Sequence, residues 1–139
     1  MSNLKKAMLV SLTIIVVMAG VAVFLIMNLT EEKHADGKQS IDDMVAYSHQ
    51  TPEITTDLDD GSFVKIQFQI VTDSKDATKE VGKREFQFKN ILIKELAVMN
   101  ETDFKEDLAQ LEVAVKDKLN EKMTEGKITE VYTISKILQ

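Results

Sequence analysis

The sequence predicts an α+β domain carried on a single N-terminal transmembrane helix. Three observations point to it. Residues Ala7 to Leu29 form an uncharged apolar run. Two alternating segments flank Asp59-Asp60-Gly61. Beyond them come two stretches with helical spacing and a last alternating segment.

The apolar run sets the first element. Its 23 residues contain no charge, no Pro and only two hydroxyls, Ser11 and Thr13. As a helix they span roughly 34 Å, enough for a hydrocarbon core of about 30 Å with some tilt. The run is apolar all round, which suits lipid and not the surface of a soluble protein. Lys5 and Lys6 precede it, while Glu31 and Glu32 follow. Positive residues stay on the cytoplasmic side, so residues 1–6 are expected inside, 7–29 across the membrane and the remainder outside. A cleaved signal peptide has a shorter apolar region and a small-residue site after it; Asn28-Leu29-Thr30-Glu31 offers none, so the helix is expected to stay as an anchor. The part beyond the anchor holds all 23 acidic residues and 15 of the 17 basic ones, a formal charge of −8. That sign argues against nucleic acid or an anionic lipid surface as a partner.

Residues 30–52 read as a polar linker, with Gly37 and Pro52 as breakers and Ile41, Met44, Val45 and Tyr47 as the only hint of a short helix. The folded domain is expected over 53–139. In it Val64, Ile66, Phe68 and Ile70 alternate with Lys65, Gln67 and Gln69, a strand with one dry and one wet face. Ile54, Thr56 and Leu58 form its hairpin partner, and Gly61 supplies the positive φ of the turn. Residues 73–79 read as a polar turn. Phe88, Ile91, Leu92, Leu96 and Met99 mark a helix over about 80–99. Thr102 or Asp103 caps a second helix, with Glu106 completing a capping box. Its stripe is Phe104, Leu108, Leu111, Val115, Leu119 and Met123, and Gly126 follows as its stop.

The last strand groups Tyr132, Ile134 and Leu138 on one face and Val131, Thr133 and Ile137 on the other. With apolar residues on both, it is expected to be interior or well covered. The domain is thus a β-hairpin, two helices and a C-terminal strand, in two layers.

Little in this sequence can do chemistry. The two histidines, His34 and His49, fall in the expected linker and read as exposed; Asp36 near His34 makes one weak pair, short of a metal site. There is no cysteine, and the five glycines are isolated, with no phosphate loop. Carboxylates sit among lysines, and Glu112–Lys116 reads as part of a solvated charged face. No catalytic, cofactor-binding or metal-binding residue is assigned. The anchor carries no ionisable group within its run and forms no ion path by itself. Ala19, Gly20 and Ala22 would let another helix approach closely.

Leu119-Asn120-Glu121, then Gly126-Lys127-Ile128-Thr129-Glu130-Val131-Tyr132, closing on Ile137-Leu138-Gln139, resembles the C-terminal end of the FliL family of flagellar basal-body-associated membrane proteins. The hairpin from Ile54 to Ile66 is similar to that family's opening strands, and Leu92 to Asn100, Phe104 and Leu108 occupy the place of its central helices. The family's Ile-Arg-(Asp/Asn), Leu-Leu-Ser and Lys-Thr elements are not kept in Asn90 to Leu96 or in Asn100-Glu101-Thr102. The resemblance implies a non-enzymatic accessory protein of the bacterial flagellar motor. It further implies association with stator and basal-body proteins, support of rotation and motility, and a stomatin-like outer domain that assembles into a homo-oligomeric ring. The competing reading is a membrane-tethered small-ligand-binding or sensory module, which an enclosed apolar pocket would favour.

Overall fold

A computed structural model describes residues 3–30 and 38–139, with side chains resolved in the first stretch only as far as Ile26. The chain divides into two compact units, Met1–Lys38 and Gln39–Gln139. The first is helix α1 (Asn3–Thr30). It begins four residues before the apolar run and takes in Lys5 and Lys6. Asn3–Ile26, 24 residues, is long and apolar enough to cross a membrane by length and composition, and none of it is buried in the protein. Ser11 and Thr13 donate their hydroxyls to the carbonyls of Met8 and Val10, at 2.9 and 2.8 Å. Both hydroxyls between Ala7 and Ile26 are therefore satisfied within the helix.

The second unit starts earlier than Glu53. The stretch expected as linker folds from Gln39 onward into α2 (Ile41–Ala46) and β1 (Ser48–Gln50). Ser40 caps α2 by accepting from Asp43 N–H at 3.1 Å. The Gln39 amide ties the segment down, donating to the Thr72 carbonyl and accepting from the Thr129 hydroxyl, both at 2.7 Å. Those partners lie 33 and 90 residues away, so no local pattern announces them.

The hairpin forms as expected, from β2 (Ile54–Asp57) and β3 (Phe63–Thr72), with Gly61 at φ +83° in the turn. β3 is the centre of a four-stranded antiparallel sheet. β1 and β2 lie end to end along one edge of it, and β4 (Ile128–Leu138) runs along the other. Between β1 and β2, Pro52 has no N–H for the ladder. Thr51 bridges the gap: its N–H donates to the Phe68 carbonyl at 2.9 Å and its hydroxyl accepts from Phe68 N–H at 3.0 Å.

The helices number more than two. α3 (Lys75–Lys83) starts inside the expected turn, capped by Ser74, which accepts from Ala77 N–H at 3.2 Å. Arg84 separates it from α4 (Glu85–Leu96). Asp107 likewise splits α5 (Glu101–Glu106) from α6 (Leu108–Asn120). The capping box sits three residues earlier than expected. Asn100 accepts from Asp103 N–H at 3.0 Å, and Asp103 accepts from Asn100 N–H at 3.1 Å.

The helical stripes meet one face of the sheet. Val64, Ile66, Phe68 and Ile70 are buried there with Phe88, Ile91, Leu92 and Leu96 of α4, Phe104 of α5, and Leu111, Val115 and Leu119 of α6. Phe68 and Phe88 make an edge-to-face contact, with ring centroids 5.7 Å apart. α6 ends at Asn120, six residues short of Gly126. The Asn120 amide closes the loop on β4, accepting from Ile128 N–H at 2.8 Å and donating to its carbonyl at 2.9 Å. Gly126, at φ +139°, has a different task from stopping the helix. A β-carbon there would lie 2.5 Å from Asp73 Oδ1, so only glycine lets the loop close against β3.

β4 departs from its expected place. Among the described residues it pairs with β3 alone, so it is an edge strand. The alternation also slips. Phe68 faces Thr133 but Gln67 faces Ser135, which leaves Ile134 as a bulge. Val131, Thr133, Lys136 and Leu138 consequently share the core side, while Glu130, Tyr132, Ser135 and Ile137 face outward with Val71, Gln69, Gln67 and Lys65.

Candidate interaction surface

On α1, Ala19, Gly20 and Ala22 are exposed, as are the other residues from Asn3 to Ile26, and nothing lies within 4 Å of a β-carbon built on Gly20. They fall in one stretch of the helix, where a close neighbour would be met by small side chains.

In the domain, an open groove of about 520 Å³ lies beside α3, lined by Lys79, Lys83, Arg84, Asp76, Glu80 and the exposed ring of Phe86, among others. Its charges are mostly spent on one another. Lys79 lies 3.7 Å from Asp76, and Arg84 2.7 Å from Glu80. Glu80 is the best-held carboxylate of the domain. It accepts from the N–H groups of Thr124 and Glu125 at 3.0 and 2.7 Å, from the Thr124 hydroxyl at 3.0 Å and from Arg84 Nε at 2.7 Å. Burial pushes its pKa up, but the backbone donors of Glu125 and Thr124, with Arg84 and the Thr124 hydroxyl, outweigh burial and hold it at about 2. It is a clamp joining α3 to the loop before β4. Asp60 does a similar service at the hairpin, where the N–H groups of Ser62 and Glu101 lower its pKa. Neither group is poised for proton transfer.

His49 is not a linker residue. It lies on β1, half-buried, with its Nε2 shielded and without a hydrogen-bond partner among the described residues. His34 and Asp36 lie outside the described residues. Among the described residues, no three potential ligands gather at one place for a metal ion.

What remains is surface. The helices of the core cover one face of the sheet, and short α2 also packs against β3. The outer face keeps Phe63 56% exposed, Tyr132 43% and Ile137 45%, set among Gln50, Gln67 and Gln69; Ile134 in the bulge is 47% exposed. Glu112, expected in a solvated charged face, instead reaches the sheet. Its Oε1 accepts from the Thr133 N–H at 2.7 Å. Sequence reading missed this because nothing local links a residue on α6 to a strand 21 positions on.

Comparison with known proteins places this architecture. The model of the family described as flagellar basal body-associated protein FliL matches residues 48–139. That span takes in β1 through β4, the elements that build the sheet and its helical layer. The chain is also similar to the flagellar protein FliL of Bacillus subtilis (strain 168). The two are 34% identical over 122 residues, which cover 86% of each chain. With the family model spanning the sheet domain and a relative 34% identical over 86% of the chain, the chain belongs to the FliL family of flagellar basal body-associated proteins.

Proposed function

We propose that the chain is a non-enzymatic accessory protein of the flagellar motor that associates with stator units at the basal body and supports rotation. In this reading α1 anchors it in the cell membrane with Lys5 and Lys6 on the cytoplasmic side, and the domain stands outside the cytoplasm. The domain self-associates and meets stator proteins beside the membrane, where tethering raises the local concentration and weak contacts suffice. The observation that carries the reading is membership of a basal-body-associated family by a chain with one membrane-spanning candidate among the described residues. The open, charge-lined groove beside α3 lends no support to a ligand-binding module, which needs an enclosed apolar cavity.

A deletion strain tests it. Swimming in liquid, in viscous medium and on soft surfaces should fall in at least one of the three. A tagged copy should gather at flagellar bases and lose that pattern when stators are absent. Full motility in all three conditions overturns the flagellar role, and foci that persist without stators overturn the partner. The anchor is tested separately by replacing 7–29 with an unrelated span of equal length. Restored motility means the helix is only a tether; a chimera that reaches the membrane and fails means Ala19, Gly20 and Ala22 pack against another helix.

A further inference from the structure

Helix α4 is apolar on two sides. Phe88, Ile91, Leu92 and Leu96 are buried in the core. Phe86, Asn90, Ile93 and Ala97 follow one another at steps of four and three residues, so they share the opposite face. All four are exposed, Phe86 by 70% and Ile93 by 45%. The charge around them also departs from the rest of the domain. Residues 75–94 hold six basic and three acidic side chains, whereas the rest of the chain after residue 30 holds nine basic and twenty acidic. Each of the three carboxylates is taken by a neighbour: Asp76 by Lys79 at 3.7 Å, Glu80 by Arg84 at 2.7 Å and Glu85 by Lys89 at 2.9 Å. Lys83 and Lys94 are exposed and have no carboxylate partner among the described residues. Lys83 lines the groove beside Phe86, and Lys94 follows Ile93, so an unpaired cation stands at each end of the Phe86–Ile93 stripe.

We propose that this face of α4 docks on an anionic phospholipid surface, with Phe86 and Ile93 entering the acyl boundary and Lys83 and Lys94 meeting headgroup phosphates. The inference rests on the reading in which α1 holds the chain in a membrane, and adds a second, reversible contact made by the domain. The net charge of the domain opposes such a surface. At physiological salt, however, screening confines the field of an exposed carboxylate to about 8 Å, so the local balance decides. The face suits lipid better than a protein helix. A docking helix is held by several apolar anchors in a groove; the recess beside Phe86 is lined, apart from that ring, by polar and charged side chains. A bilayer needs no groove. Apolar side chains insert, and lysine stems lie along the boundary with their ammonium groups among the headgroups. The span keeps lipid at high local concentration, so few contacts suffice. Glu125, which lines the same groove, opposes the contact.

The chain has no cysteine, so one dye reports one place. Asn90→Cys, between Phe86 and Ile93, carries an environment-sensitive dye in the full-length protein, held in nanodiscs of phosphatidylcholine alone or of an equal mixture with phosphatidylglycerol. Thr55→Cys is the control; Thr55 is exposed and pairs with Lys65, on the face of the sheet away from the core helices. The Asn90 dye should brighten and shift to the blue in the mixed discs, stay in water in phosphatidylcholine, and be released by high salt. The Thr55 dye should not change. Lys83→Gln and Lys94→Gln should each lower the docked-to-free ratio roughly fivefold. Phe86→Ser should lower it with every charge kept, and Glu125→Gln should raise it. An Asn90 dye that stays in water in both discs overturns the proposal and leaves the face to a protein partner. A signal equal in the two lipids, or indifferent to both lysines, overturns the part given to the anionic headgroup. Entry of the chain into the discs is measured separately. A chain that stays out overturns the anchor on which the proposal rests, whereas an inserted chain with a wet Asn90 dye overturns this contact alone.

Discussion

The two faces of β3 are made from the same ten residues and obey different rules. On the core face Val64, Ile66, Phe68 and Ile70 are at most 1% exposed, in one cluster with the apolar residues of α3 to α6. On the outer face Lys65, Gln67 and Gln69 are half-buried and Phe63 is exposed. The inner face is closed by packing within one chain, so its residues answer to volume and shape. The outer face is finished by water and by α2. A single strand thus answers to close packing on one side and to solvent on the other.

Phe68→Ala removes a fully buried ring and its contact with Phe88, and should cost about 3–5 kcal/mol. Urea unfolding of the detergent-solubilised chain checks this; a loss below 1 kcal/mol would mean that the core face is not close-packed. Leu111→Ala, on the facing helix α6, should cost about 2–5 kcal/mol. Glu112→Ala, one residue on, loses a hydrogen bond at the strand edge that water can replace, and should cost about 0.5–1.5 kcal/mol. Equal losses for that pair would show that the phase of α6 is misread.

Glu80→Gln sharpens the contrast by acting through charge alone, and should cost about 1–3 kcal/mol near neutral pH. The sign of its pH dependence follows from the lowered pKa. A carboxylate held at about 2 in the fold and near 4.5 when unfolded contributes fully above 4.5 and loses its contribution as pH falls toward 2. The native chain should therefore lose stability relative to the Gln variant across that window, and curves that stay parallel from pH 6 to pH 2.5 would remove the clamp. The smallest effect is expected on the outer face, where Phe63→Ala should stay within about 0.5 kcal/mol.

Much of this protein is legible in order along the chain. The apolar helix is readable because Ala7 to Leu29 carries no charge and no Pro, a pattern set residue by residue. The hairpin is readable because Gly61 and the alternation from Val64 to Ile70 are local signals. The stripe Phe104, Leu108, Leu111, Val115 and Leu119 identifies the inner face of the last helices, although it passes over the break at Asp107 without a sign. The absence of cysteine and of a phosphate loop is likewise plain in the residues themselves.

Other features were settled only when distant parts met. Gln39 joins the domain because its amide finds Thr72 and Thr129, far along the chain, and with it α2 and β1 cease to be linker. β4 becomes an edge, and changes which residues share a face, because a bulge at Ile134 shifts its register against β3. Glu112 leaves the charged helix surface because Thr133 offers an unpaired N–H within its reach. Sequence determined what each segment wants from its own neighbours and from solvent: an apolar span, a turn, a helical stripe. Tertiary structure decided which strand has an open edge and which carboxylate closes it, because backbone hydrogen bonds are completed between segments, and the partner a group finds depends on how the whole sheet is assembled.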